Sequence, residues 1–84
     1  MIKNITRGYV DIEIDGKLAR IGGEAYHRGY GSPDFVLYAN SLERWEPPHN
    51  TVRLDDAARD AILNRAAKEM RERGMTVEIE CPSA

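Results

Sequence analysis

Apolar and polar positions alternate from Tyr9 to Ile21, with Val10, Ile12 and Ile14 followed by Ala19 and Ile21 around the dipeptide Asp15-Gly16. Period-two alternation marks a half-buried strand, and Asp-Gly tolerates the positive φ that a type I′ turn needs at both central positions, so this stretch predicts a β-hairpin. A two-residue turn sets Ile14 opposite Lys17, and therefore Ile12 opposite Ala19 and Val10 opposite Ile21 on one face. The other face then pairs Asp11 with Arg20, a favourable carboxylate–guanidinium contact. Turn chemistry, burial and charge all select one register.

Further along, Gly22-Gly23 ends the alternation, and the run from Tyr26 to Asp34 is expected to be a loop by its glycine and proline content. Phe35 to Ala39 reads as a third strand, apolar on both sides, and Trp45 to Asn50, with Pro47-Pro48 inside it, as an extended irregular segment. Ala58, Ile62, Ala66 and Met70 recur every four residues with Leu63 and Ala67 beside them, after Asp55 or Asp56 as N-cap and before Gly74. That stripe predicts an amphipathic helix over 56–73, with its acids early and its bases late as the helix dipole favours. Met75 to Glu80 alternates again, with Val77 and Ile79 inward, and predicts a last strand. The expected fold is α+β, in the order β-β-β-α-β: an antiparallel sheet with one helix packed on one face. The row Val10, Ile12, Ile14 and Ile21 is expected to meet the stripe Ile62, Ala66 and Met70.

A chain of 84 residues suffices for one small domain, expected to span 1–84, which buries about 60% of its unfolded surface and so has a thin core. Twelve Lys and Arg against fourteen Asp and Glu leave a net charge of -2, which argues against a general affinity for nucleic acid or an anionic membrane. The first residues, Met1 to Arg7, turn polar at once and lack the apolar stretch of a secretory signal, and no later window reaches membrane-spanning length. A cytoplasmic location is expected, with no membrane partner. The single Cys81, before Pro82 at the end of a strand-like run, reads as a small hydrophobe rather than a nucleophile.

Candidate chemistry is sparse. Glu24 and His27, like Glu46 and His49, stand three residues apart, a spacing that suits carboxylate–histidine metal sites on helices. Gly23 and the double proline break helix at both places, so two exposed loop histidines are expected instead, and no metal or cofactor is called for. Ser32, Ser41 and Cys81 lack the surroundings of an activated nucleophile, and Gly22-Gly23 and Gly29-x-Gly31 lack the lysine and strand–loop–helix context of a phosphate cradle; they read as turn glycines. No catalytic set emerges, and a non-enzymatic role is expected. The alternative is a small nucleic-acid-binding or nucleic-acid-processing domain using loop His, Glu and Arg residues. Arg7, Arg20, Arg28 and Arg44 near Tyr9, Tyr26 and Tyr30 could supply a platform for it. Interleaved Asp11, Glu13, Glu24 and Asp34 make a solvated mixed surface the simpler reading.

The aromatic residues are harder to assign to packing. Tyr26, His27, Arg28 and Tyr30 share one loop, and Trp45 stands in another. Tyr, Trp and Arg anchor protein interfaces because they bury large areas at low entropic cost while keeping a polar handle. Trp45 could equally cap the small core. With the neighbouring acids Glu24, Asp34 and Glu46, these residues form the expected partner-binding set.

Arg7-Gly8-Tyr9 leading into the hairpin, Gly23-Glu24 at its exit, Phe35-Val36-Leu37-Tyr38 with Ser41, the Trp45-Glu46-Pro47-Pro48 turn and the closing helix and strand resemble a family of small immunity proteins of bacterial polymorphic toxin systems. The resemblance runs from about Thr6 to Glu80. It implies a protein that binds and neutralises a cognate toxin protein in the producing cell, without catalysis. A homodimer formed through an exposed sheet edge is compatible with that role.

Overall fold

The hairpin forms in the register its turn dictates. In the computed structural model, which describes residues 1–26, 33–51 and 53–80, β2 (Tyr9–Ile14) pairs antiparallel with β3 (Lys17–Ala25). Val10 lies opposite Ile21, Asp11 opposite Arg20, Ile12 opposite Ala19 and Ile14 opposite Lys17. The turn residues Asp15 and Gly16 both take positive φ, 53° and 77°. Three further strands complete the sheet: β1 (Ile2–Ile5), β4 (Phe35–Tyr38) and β5 (Val77–Glu80), in the order β1-β2-β3-β4-β5. One helix, α1 (Asp56–Glu72), packs on one face, so the α+β class expected from the sequence holds.

Three features depart from expectation. The first is β1, an additional strand at the N-terminal edge. Ile2 pairs with Ile12 and Ile5 with Val10, but a β-bulge between Ile2 and Asn4 inserts one residue, so the two inward isoleucines stand three apart and break the alternation that would have announced a strand. The second concerns Gly22 and Gly23, which are not turn glycines. They lie inside β3, which continues to Ala25 and pairs with β4 through Gly23 opposite Leu37 and Ala25 opposite Phe35. A Cβ on Gly23 would collide with the Phe35 ring and the Val36 carbonyl, and one on Gly22 would lie 3.0 Å from Ser41 Cβ. Glycine is needed here for close approach, not for a turn.

The third departure is the orientation of β5. It pairs parallel with β4, Phe35 opposite Val77 and Leu37 opposite Ile79, so the sheet is mixed. The chain between β4 and β5 contains α1 and crosses over the core face, and such a crossover returns the next strand in the same direction. The other three pairings are antiparallel, the arrangement expected of the whole sheet, although β1 itself was not expected.

Helix α1 starts at its N-cap Asp55, whose Oδ1 accepts a hydrogen bond from the Ala58 amide at 2.7 Å, and is followed by Gly74 at φ 87°. Its buried residues are Ile62, Leu63, Ala66, Ala67 and Met70. They meet Ile2, Val10, Ile12, Ala19, Ile21, Phe35, Leu37 and Val77 from the sheet, while Ile14, expected in the central row, is only half-buried. Burying each large aliphatic side chain contributes about 1.5–3 kcal/mol, which is how one helix and one sheet face hold so small a chain together. Between β4 and α1 the chain makes a short 3-10 turn at Ala39–Ser41, and the Glu46 amide then bonds the Leu18 carbonyl at 2.7 Å. Among the described residues, no helix is long and apolar enough to cross a membrane.

Candidate partner-binding surface

Because α1 covers one face of the sheet, strand alternation hands the other face to Tyr9, Asp11, Arg20, Glu24, Val36, Tyr38, Glu78 and Glu80. Two polar groupings divide it. Near the middle, Arg20 forks onto Asp11, Nε to Oδ1 at 2.8 Å and Nη2 to Oδ2 at 3.2 Å, while its guanidinium carbon sits 3.9 Å from the centre of the Tyr9 ring. The hydrogen bonds that Arg20 donates to Asp11 raise the Arg20 pKa above its ordinary value, and the nearby charge of Glu46 adds to this. Asp11 is 7% exposed. The grouping is closed on itself: the charge of Arg20 is spent on Asp11 and its flat face on Tyr9.

The second grouping lies at the far end of β3. Glu24 Oε2 accepts hydrogen bonds from Tyr38 Oη at 2.9 Å and Tyr26 Oη at 3.2 Å. The bond to Glu24, then burial and the carboxylate charge, push the Tyr38 hydroxyl up to about 12. Glu24, Val36 and Glu78 stand in one row across β3, β4 and β5, and Glu80 lies opposite Tyr38. With strands about 4.8 Å apart, Glu24 and Glu78 are about 10 Å from one another. Three carboxylates, two phenols and the apolar Val36 therefore share this half of the face, and it holds acceptors for cationic and amide donors beside flat aromatic surface.

The residues expected to bind a partner do not all converge. Glu24 and Tyr26 meet, as described. Asp34 is pinned at the entry to β4: its amide donates to Thr76 Oγ1 at 2.8 Å and its Oδ2 accepts from the Thr76 amide at 3.0 Å, which ties β4 to β5. Trp45 and Glu46 sit beside Leu18, six residues back along β3 and so about 20 Å from Glu24. Trp45 packs against the core, with Lys17 Nζ 5.6 Å from its ring centre, which is the core-capping role weighed for it above. The His49 amide closes a turn on the Glu46 carbonyl at 3.0 Å. His27, Arg28 and Tyr30, like Cys81, lie outside the described residues.

Tyr38, Glu78 and Glu80 were not in the expected set. Their signal was present in the alternation: Tyr38 follows Val36 at two residues, and the acids of Val77-Glu78-Ile79-Glu80 occupy every second position. Their meeting with Glu24 required knowing that β5 lies beside β4, which periodicity does not reveal.

No curated protein and no solved structure matches the chain. The family model described as Immunity protein 74 (Imm74) matches residues 2–80, from the first residue of β1 to the last of β5. Every strand and the helix fall within that match, and the chain thus belongs to the Immunity protein 74 family.

Proposed function

We propose that this immunity protein binds and neutralises, in the cytoplasm of the cell that makes it, a cognate toxin of a bacterial polymorphic toxin system, and that it does so by occupying the toxin rather than by any catalysis of its own. The observation that carries the reading is the family match over the whole folded span. The sheet face opposite α1 supports it: Glu24 with Tyr26 and Tyr38, flanked by Glu78 and Glu80, joins aromatic anchors to acceptors of one charge sign. Aromatic anchors supply the buried area of a tight complex, and a patch of one sign steers and orients a partner of the other. A toxin that acts on nucleic acid presents cationic groups to its substrate, and this surface is complementary to them.

His27, Arg28 and Tyr30, which follow Tyr26 in the chain, belong to the proposed contact, and Asp34, whose carbonyl accepts the Tyr26 amide at 3.0 Å, borders it, while Trp45 and Glu46 lie apart from it beside Leu18. Nucleic acid as the chain's own ligand has no specific observation in its favour, since Arg20 is engaged by Asp11 and Tyr9 and its neighbours on the face are acidic. The test is binding to the toxin encoded beside the gene. Combined Glu24→Ala, Tyr26→Ala and Tyr30→Ala should weaken the complex about 100-fold or more, because each anchor of such an interface carries about 2 kcal/mol. Unchanged affinity would remove this surface from the reading.

A further inference from the structure

The sheet ends at β5. β5 has β4 on one side and no strand on the other among the described residues. The Phe35 amide bonds the Thr76 carbonyl at 3.1 Å, and in a parallel ladder this turns the backbone groups of Thr76, Glu78 and Glu80 toward β4 and those of Val77 and Ile79 outward. The outward Val77 carbonyl is taken by Arg71 Nη2 at 2.8 Å. The amide and carbonyl of Ile79 are thereby left as the template for a new pairing.

Two further observations say what would fit there. On the helix side of the edge, Ile79 and Leu63 floor a groove of about 240 Å³ with Asp60 and Asn64 on its rim. Its lining, apolar at Leu63 and Ile79 and polar at Asp60 and Asn64, suits a side chain with an aliphatic stem and a cationic head. Asp60 can accept that head: among the described residues its ion pair, to Arg59 Nε, is long at 3.6 Å, and its side chain is 58% exposed. On the opposite side of the edge stand Glu78 and Glu80, two residues apart. A second copy of this chain is a poor occupant: two-fold pairings of β5 with itself centred on Glu78 or Ile79 set Glu78 against Glu78 or against Glu80, and like charges directly opposite destabilise a sheet. The edge thus repels itself while attracting the opposite charge.

We propose that the β5 edge and its groove form a docking seam where an extended, basic segment of the toxin adds as a sixth strand, with lysine or arginine side chains facing Glu78 and Glu80 on one side and entering the Asp60 groove on the other. This rests on the immunity reading and specifies the chemistry of its partner.

The experiment uses the toxin encoded beside the gene and three measurements on the full chain. Ile79→Pro removes an outward amide that β4 does not use, so the fold should be retained while toxin affinity falls at least about 10-fold. Glu78→Lys with Glu80→Lys should cause a loss of similar size, about 10-fold or more. In the unaltered chain, hydrogen exchange at the Ile79 amide should be fast alone and strongly slowed in the complex, a readout that stands even if the proline variant fails to fold. Full affinity in both variants, or an Ile79 amide that exchanges equally fast in the complex, overturns the seam and leaves the immunity reading intact. Failure of the unaltered chain to bind the toxin overturns both.

Discussion

At the scale of single residues, the sharpest constraint is on Gly23. The Phe35 ring and the Val36 carbonyl occupy the space its Cβ would need, so Gly23→Ala should destabilise the chain by about 1–3 kcal/mol in denaturant unfolding. Native stability in that variant would contradict the close packing of β3 on Phe35. Tyr38 carries a pH dependence of opposite character to that of an acid. Its hydroxyl is held at about 12 against 10.0 for an unperturbed tyrosine, chiefly by its bond to Glu24. The folded pKa is the higher, so the bond's contribution to stability is complete below pH 10 and is lost as the pH rises toward 12. Tyr38→Phe should flatten that alkaline decline in a series of melting temperatures. A wild-type decline unchanged by Tyr38→Phe would show that the phenol–carboxylate bond is not its source. The Gly22-Gly23 dipeptide also marks where the sequence misled: two adjacent glycines read as a turn signal, and only the neighbouring Phe35 and Ser41 reveal them as strand residues chosen for lack of a side chain.

At the scale of elements, β1 is held by its pairing with β2 and by one side chain of α1. Glu69 Oε1 accepts the Ile2 amide at 3.0 Å, and its Oε2 faces Arg65 Nε at 2.9 Å and the Met1 ammonium at 3.5 Å. These donors, the Ile2 amide first, hold the Glu69 carboxyl below its ordinary 4.5 despite partial burial. Its folded pKa is the lower, so its stabilisation is present above pH 4.5 and is lost as the pH falls through the folded value. Glu69→Ala should cost about 1–3 kcal/mol, since a part-buried amide loses its acceptor, and should unpin β1 first in hydrogen exchange. Glu69→Gln should remove part of the acid sensitivity while keeping more of the stability. Elements whose signals are local were legible in the chain: the hairpin through Asp15-Gly16, and the helix through its stripe and the Asp55 cap. β1 was hidden by its bulge, and the parallel partnership of β5 with β4 is a property of chain routing that no local pattern encodes.

At the scale of the whole molecule, the division of labour follows from having, among the described residues, one helix for five strands. One face is closed by α1 and holds the fold together; the other is left to side chains that need not serve the core, and there Glu24, Tyr26, Tyr38, Glu78 and Glu80 gather. The sequence indicated that Glu24 and Tyr26 lay outside the core, and it indicated the family. It placed Trp45 and Glu46 in the same set only because loop residues carry no spatial address before the sheet is assembled; β3 separates them from Glu24 by most of its length. The proposed function is protection of a cell from one particular toxin. The most direct measurement is survival of cells co-expressing the chain with the toxin encoded beside its gene, with recovery of the two proteins together from the same culture. Survival and a stable complex are expected, with protection lost on combined Glu24→Ala, Tyr26→Ala and Tyr30→Ala substitution; cells that die despite abundant folded protein would contradict the immunity reading.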